Sequence, residues 1–261
     1  MRRSPNTVEH RQKVLGLWCR FLAERDLTLL DADRVDVLDF LATYHEPETV
    51  GSFRSALGVF YAWAVEEELI VREPTRRMPS VVRDKVAPNP IPNELLRDVL
   101  AEANPTDRKI IVLGRFGGLR AAEIAAAHRV YLKPGTGGQR VIRFLGKGRR
   151  WRELPAHRLV ADVLHAETGY LFESPKYPGR PMHADSIGAR MSRLLPADHT
   201  CHDLRAAFAT DAYWRNGRDL TLVQRWLGHQ SPATTLRYVL IDHNFEAMER
   251  MTLDGDWWAA A

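Results

Sequence analysis

The chain has 261 residues, 45% of them hydrophobic and 27% charged, which is typical of a globular protein with one large or two modest domains. No run approaches the roughly 20 apolar residues of a bilayer span, and no apolar segment follows the basic N-terminus, which argues against a membrane partner and against secretion. Cys19 and Cys201 lie far apart and match no metal or redox spacing, so we expect no metal site and a cytoplasmic location.

Basic residues are concentrated in one stretch of the chain. The net charge is only +4, yet residues 108–158 hold 13 lysines and arginines against two acidic residues, Glu123 and Glu153. These basic residues are spread over several predicted elements. This distribution favours a concave surface that binds a polyanion over a disordered basic tail.

The first 73 residues show the apolar spacing of helices. Three stripes of apolar residues recur at this spacing, and we interpret them as the core of a helical domain: Val14, Leu17, Trp18, Phe21 and Leu22; Val35, Leu38, Phe40 and Leu41; and Phe53, Leu57, Phe60, Tyr61 and Ala64. Arg54 lies between apolar positions of the third stripe and is a candidate DNA contact.

Residues 74–92 read as a linker. Five prolines between Arg72 and Pro92 interrupt any helix, and most charges there are basic, including Arg76 and Arg77. A positively charged linker predicts that both flanking domains hold the same anion, so Arg76 and Arg77 are candidate DNA contacts.

The second domain, residues 93–261, is predicted to be mainly helical with one small β-hairpin. Helical patterns cover 93–103, 106–117, a segment from 121 to 132, and then 156–167, 183–194, 202–215, 219–228 and 234–241. Alternating apolar residues in VIRFL and WRELP predict two strands around a Gly-Lys-Gly turn. The nearby arginines are interpreted as DNA backbone contacts or a solvated face: Arg149, Arg150 and Arg152.

Six polar residues at the ends of these elements form a set suited to phosphodiester chemistry: Arg120, Lys147, His202, Arg205, His229 and Tyr238. Arginine forks stabilise the charge that spreads over phosphate oxygens in the transition state. A tyrosine hydroxyl can attack phosphorus and store the bond covalently, while a lysine protonates the leaving oxygen. Such chemistry requires no metal, cofactor or ATP.

Four short motifs carry these residues in chain order. GLRAAEI contains Arg120, GKGRRWRELP contains Lys147, HDLR contains His202 and Arg205, and LGH ends in His229, nine residues before Tyr238. Together they resemble the catalytic domain of the tyrosine recombinases, the family of phage integrases and Xer-type recombinases. The segment RSALGVFYAWAVEEELI resembles the last long helix of that family's core-binding domain.

The resemblance implies a two-domain, C-shaped clamp on duplex DNA. It implies that Tyr238 forms a 3′-phosphotyrosyl link, that Glu123 supports the site, and that four protomers act on two DNA sites with inverted-repeat cores. Integration of a phage or mobile element is the first expected context, and the need for an accessory DNA-bending protein or directionality factor is left open.

The chain begins near the core-binding helices, so we expect a short form without an arm-binding domain. The C-terminal Trp257 and Trp258 are expected to dock on a neighbouring protomer.

Two alternatives use the same features. A type IB topoisomerase-like enzyme relaxes DNA with the same chemistry, and a regulator without catalysis keeps the clamp and its basic surface. Taken alone, His229 is an ordinary helix-end residue and Tyr238 a half-buried aromatic. Tyr170 and Tyr213 are rival nucleophiles that lack the histidine-turn context.

Overall fold

The computed structural model describes residues 5–78, 88–146 and 150–237, with only the backbone described for residues 5 and 6. The chain divides into two compact units, residues 1–86 and 87–261. Several predicted features lie outside the described residues: Lys147, Arg149, Tyr238, Trp257, Trp258 and residues 79–87 of the linker.

The described part of the first unit contains three helices, α1 (Pro5–Ala23), α2 (Arg34–Ala42) and α3 (Pro47–Glu66). Their buried apolar residues form one cluster, in which the side chains of Trp18 and Tyr61 are fully buried. Trp18 Nε1 donates a hydrogen bond to the Tyr61 hydroxyl oxygen at 2.8 Å, which satisfies the indole N–H inside this core. Burial raises the pKa of Tyr61 to about 12. The predicted helical core of the first part is confirmed.

The second apolar stripe was assigned partly to the wrong face. Asp33 caps α2 through a capping box with Asp36, which fixes where the helix starts. From this start the helix buries Val37, while Val35 is 60% exposed. The face of α2 that packs into the core carries Val37, Phe40 and Leu41.

The second unit is an α-rich domain around a small sheet. Its elements, in chain order, are α4 (Asn93–Glu102), α5 (Pro105–Gly117), α6 (Ala121–Ala125), a 3₁₀ turn (Arg129–Tyr131), β1 (Leu132–Pro134), a second 3₁₀ turn (Thr136–Gly138), β2 (Arg140–Leu145), β3 (Trp151–Pro155), α7 (Arg158–His165), α8 (Ala184–Leu194), α9 (Cys201–Arg215), α10 (Leu220–Leu227) and α11 (Pro232–Leu236). The mainly α architecture with a small sheet is confirmed.

The sheet has three antiparallel strands in the order β1, β2, β3, one more than predicted. A helix was predicted over 121–132, but α6 ends at Ala125, so the second part of that prediction is wrong. The chain instead continues into Leu132–Pro134, which pairs with β2 as a strand. The glycine-rich segment PGTGGQR makes the turn, with Gly137 and Gly138 at positive φ. The predicted strands VIRFL and WRELP are confirmed as β2 and β3.

Helices α5 and α9 pack closely and bring the GLR and HDLR motifs together. Gly114 allows this approach, because a Cβ there would lie 3.1 Å from Leu204. α5 ends at Gly118 in the left-handed conformation (φ 60°), where a Cβ would lie 2.5 Å from the Phe208 ring. A glycine is therefore required at this turn. Within the described residues, no helix combines the length and apolar character needed to span a membrane.

Candidate active site

The site begins at the turn between α5 and α6, which presents Arg120. Arg120 is the N-cap residue of α6, and its backbone N–H donates to Glu123 Oε2 at 2.8 Å. Its guanidinium Nη1 lies 3.2 Å from Glu123 Oε1, and 31% of the side chain stays exposed. The turn thus fixes one end of Arg120 and leaves part of its guanidinium accessible.

Glu123 is the buried anion at the centre of the site. Its side chain is 5% exposed and lies near three guanidinium groups, those of Arg120, Arg152 and Arg205. The distance to Arg152 Nη2 is 2.6 Å, and the distance to Arg205 Nη1 is 3.8 Å. One carboxylate therefore faces three cations, which leaves the cluster with net positive charge.

The prediction that Arg152 contacts the DNA backbone or faces solvent is wrong, because the side chain is buried inside the domain. It is 8% exposed, donates to the carbonyl oxygens of Trp226 and Gly118, and lies 4.1 Å above the Phe144 ring. Burial lowers the pKa of Arg152 to about 10, with Glu123 opposing the shift, so it stays protonated at neutral pH. It acts inside the domain and joins β3 to α10 and to the GLR turn.

A sequence signal for this role existed. β3 alternates exposed and buried positions, which places Arg152 on the same inward face as Leu154. An arginine at an inward position of a strand predicts a buried acidic partner, because an unpaired buried charge is costly. Register with β2 then sets Arg152 opposite Phe144.

Arg205 is fully buried and held by backbone carbonyls. Its Nη1 donates to Gly118 O, and its Nη2 donates to Leu227 O at 2.6 Å. Nη2 also lies 3.1 Å from His229 Nε2. These contacts join three predicted motifs, GLR, HDLR and LGH, at one guanidinium.

His229 follows the left-handed Gly228 that ends α10. Its backbone N–H donates to Gln224 O at 3.1 Å, and its ring Nδ1 lies 3.0 Å from Thr235 Oγ1. Burial first, and then the nearby cations with Arg205 the strongest, together lower the pKa of His229 to about 3. The imidazole is therefore neutral across the physiological pH range.

His202 lies in the first turn of α9, which begins with a capping box between Thr200 and Asp203. Loss of water around the ring lowers the pKa of His202, and Arg205 adds to this shift while Asp203 opposes it. A neutral imidazole can accept a proton, so His202 fits the predicted role in proton transfer.

The buried His229 predicts a pH dependence of stability. Its folded pKa of about 3 lies below 6.5, the ordinary pKa of a histidine side chain. The unfolded chain therefore binds a proton below pH 6.5 that the folded chain does not, and stability is lost as the pH falls from 6.5 towards 3 by up to about 1.4 kcal/mol per pH unit. His229→Gln removes this group, so its free energy of unfolding, measured by urea titration, should fall less steeply between pH 6.5 and 4. The exposed His45→Gln serves as the control. A His229→Gln profile parallel to wild type would contradict the prediction.

The structure thus brings Arg120, Glu123, His202, Arg205 and His229 together from three separate segments. Among the described residues, no group of three or more His, Cys, Asp or Glu side chains is arranged to hold a metal ion. Excess guanidinium charge beside neutral imidazoles suits an oxyanion such as a phosphodiester.

The other predicted DNA contacts differ in their surroundings. Arg76, Arg77 and Arg150 are exposed. Arg54 is partly buried, and its Nη2 donates to Met78 O at 3.0 Å. These four residues stay predictions as DNA contacts.

Comparison with known families decides the relationship. The model of the "Phage integrase family" matches residues 94–244, which is more than half of the chain. The chain belongs to the phage integrase family. A second model, "Phage integrase, N-terminal SAM-like domain", matches residues 1–68 of this integrase-family protein.

Relatives of this integrase-family protein are tyrosine recombinases. Tyrosine recombinase XerD of Ralstonia nicotianae is 29% identical over 261 residues, covering 89% of this chain and 83% of its own. Tyrosine recombinase XerC of Myxococcus xanthus is 26% identical over 267 residues, covering 91% and 88%. The protein is accordingly a tyrosine recombinase, as the sequence motifs predicted.

Solved structures share the fold. A lambda integrase dimer bound to a COC′ core site has a TM-score of 0.71 at 16% identity, covering 91% of this chain and 72% of that one. The XerH site-specific recombinase bound to difH in a pre-cleavage complex has a TM-score of 0.66 at 21% identity, covering 94% and 79%.

Proposed function

We propose that this protein is a site-specific DNA recombinase that cuts and rejoins DNA through a 3′-phosphotyrosyl intermediate on Tyr238. The observation that carries the proposal is the shared cluster of Arg120, Arg205 and His229 around one buried carboxylate. Three guanidinium groups around one carboxylate give this cluster net positive charge, which suits the negative charge of a scissile phosphate.

The reaction assigns each predicted residue one task. The Tyr238 oxygen attacks the scissile phosphorus, and His202 accepts its proton. The bond from phosphorus to the 5′ oxygen breaks, and Lys147 protonates that leaving oxygen. Arg120, Arg205 and His229 stabilise the charge on the non-bridging oxygens. The arrangement supports this because the accessible part of Arg120 and the neutral His202 belong to the same cluster.

Storing the phosphate bond makes strand exchange reversible. A 5′ hydroxyl from a second DNA end attacks the phosphotyrosine, the phosphodiester re-forms, and Tyr238 is released with its proton restored. No ATP is consumed, because the bond energy is kept in the protein–DNA link.

We infer that both domains bind double-stranded DNA, with a core-binding domain of residues 1–73, a linker of residues 74–92 and a catalytic domain of residues 93–261. Support comes from the two matching family models and from two solved structures, one named as bound to a COC′ core site and one as bound to a difH substrate. Phosphate contacts by exposed arginines such as Arg76, Arg77 and Arg150 should make binding strongly dependent on salt.

The biological setting we propose is integration of a phage or mobile element in the cytoplasm. Four protomers would act on two sites with paired inverted-repeat cores, with the C-terminal tail docking between neighbours. A host DNA-bending protein or directionality factor would set the outcome. The family membership supports this setting.

Trapping the covalent intermediate in cells tests the proposal. Wild-type protein should become linked to DNA at one inverted-repeat site, and Tyr238→Phe should abolish the adducts because it removes the nucleophilic oxygen. Tyr213→Phe is the matched control and should behave as wild type. Sequencing of the attached DNA gives the target.

Other outcomes of this experiment are equally informative. Adducts scattered without a preferred site would favour DNA relaxation of the topoisomerase type. Equal adduct levels in wild type and Tyr238→Phe would refute the assignment of the nucleophile.

A further inference from the structure

His229 is held at both ring nitrogens, and the two partners fix its proton. Arg205 Nη2 lies 3.1 Å from Nε2, and arginine can only donate, so Nε2 accepts. A neutral imidazole carries one N–H, which is then on Nδ1 and donates to Thr235 Oγ1 at 3.0 Å. The DNA-free protein therefore contains the Nδ1–H tautomer of His229.

This tautomer is the wrong one for binding a phosphate through Nε2. A phosphate oxygen only accepts hydrogen bonds, so Nε2 must carry the proton when it faces a phosphate. Nδ1 then becomes an acceptor and needs a donor in the same place. Thr235 can fill both roles, because a hydroxyl group accepts with its lone pairs and donates after rotating its O–H bond.

We propose that Thr235 is a positioning residue that holds His229 in either tautomer, so that the imidazole can exchange Arg205 for a phosphate oxygen when DNA binds. The inference rests on the proposed function. In the exchange, one proton leaves Nδ1 and one arrives at Nε2 through solvent, and the ring stays neutral. Arg205 stays charged, and its Nη2 becomes available to the same phosphate.

The surroundings of Thr235 agree with this role. Thr235 is fully buried in α11, which ends two residues before Tyr238, whereas the adjacent Thr234 is exposed. Burial of a hydroxyl group destabilises the folded protein unless the group forms hydrogen bonds. Thr235 also ties the helix that leads towards the proposed nucleophile to the ring of His229.

The test compares Thr235→Val, which keeps the shape but removes the hydroxyl, with Thr235→Ser, which keeps the hydroxyl. Thr234→Val is the matched control. ¹⁵N NMR of histidine-labelled, DNA-free protein, with His229 assigned by His229→Gln, should show an unprotonated Nε2 and a protonated Nδ1 in wild type, Thr235→Ser and Thr234→Val. Thr235→Val should keep Nε2 unprotonated, because Arg205 still donates to it, but should move the Nδ1 signal to that of an N–H without its hydroxyl acceptor.

The second readout is the rate of adduct formation on the DNA recovered by trapping. Thr235→Val should be slower by roughly 10- to 100-fold, because a buried hydrogen bond at the reacting group is lost. Thr235→Ser should stay within about threefold of wild type, because its hydroxyl makes the same bond.

Each failure has a distinct meaning. A protonated Nε2 in the DNA-free wild type, or equal adduct rates for Thr235→Val and Thr234→Val, would overturn this inference and leave the proposed function intact. Absence of Tyr238-dependent adducts in the wild type would overturn the proposed function, and with it the catalytic part of this inference.

Discussion

Arg205→Lys is expected to lower the rate of covalent DNA adduct formation by about a thousandfold, because one point charge replaces a fork that can hold two phosphate oxygens. The change also removes donors from Gly118 O and Leu227 O, which Arg205 satisfies inside the protein. Loss of these buried bonds should lower the free energy of unfolding by about 3–5 kcal/mol. Adduct rates and guanidinium unfolding measure the two effects.

Arg215→Lys is the matched control for this prediction. Arg215 lies on the same helix α9, but its side chain is 77% exposed and its contact with Asp211 is long, at 3.9 Å. An exposed ion pair contributes little to stability, so Arg215→Lys should match wild type in both measurements. Equal effects of the two substitutions would show that Arg205 has no special place in the site.

Glu123→Gln is expected to cause the second large loss, about 3–5 kcal/mol of unfolding free energy. The substitution keeps the shape but leaves buried Arg152 and the rest of the guanidinium cluster without their anion. It also releases Arg120 from its 3.2 Å contact, so adduct formation should slow as well. Chemical denaturation at neutral pH measures the stability effect.

The control and a second variant sharpen this result. Glu153→Gln changes the other acidic residue of the basic stretch, which is exposed, and should leave stability within about 0.5 kcal/mol of wild type. Combining Glu123→Gln with Arg152→Met should recover part of the loss, because the buried cation at 2.6 Å from the deleted carboxylate is removed with it. Additive losses in the double variant would argue against the pairing.

Local patterns predicted much of the fold. The helix predicted over 93–103 is observed as Asn93–Glu102, and the two strands around the lysine turn are observed as β2 and β3. Helical periodicity, caps and strand alternation act between residues close in sequence, so they can be read without a structure. The third strand was missed because β1 forms only by pairing with β2, beyond the glycine-rich turn.

The sequence by itself determined the catalytic motifs, their order and the residue types that suit phosphate chemistry. Only the tertiary structure decided which arginine pairs with which carboxylate or carbonyl group. Arg152 meets Glu123 across 29 positions, and Arg205 meets Gly118 across 87. Likewise, the partners that set the His229 tautomer come from α9 and α11. Burial and hydrogen bonding depend on which distant segments pack together. This packing determines whether an arginine is buried inside the domain or can reach a phosphate.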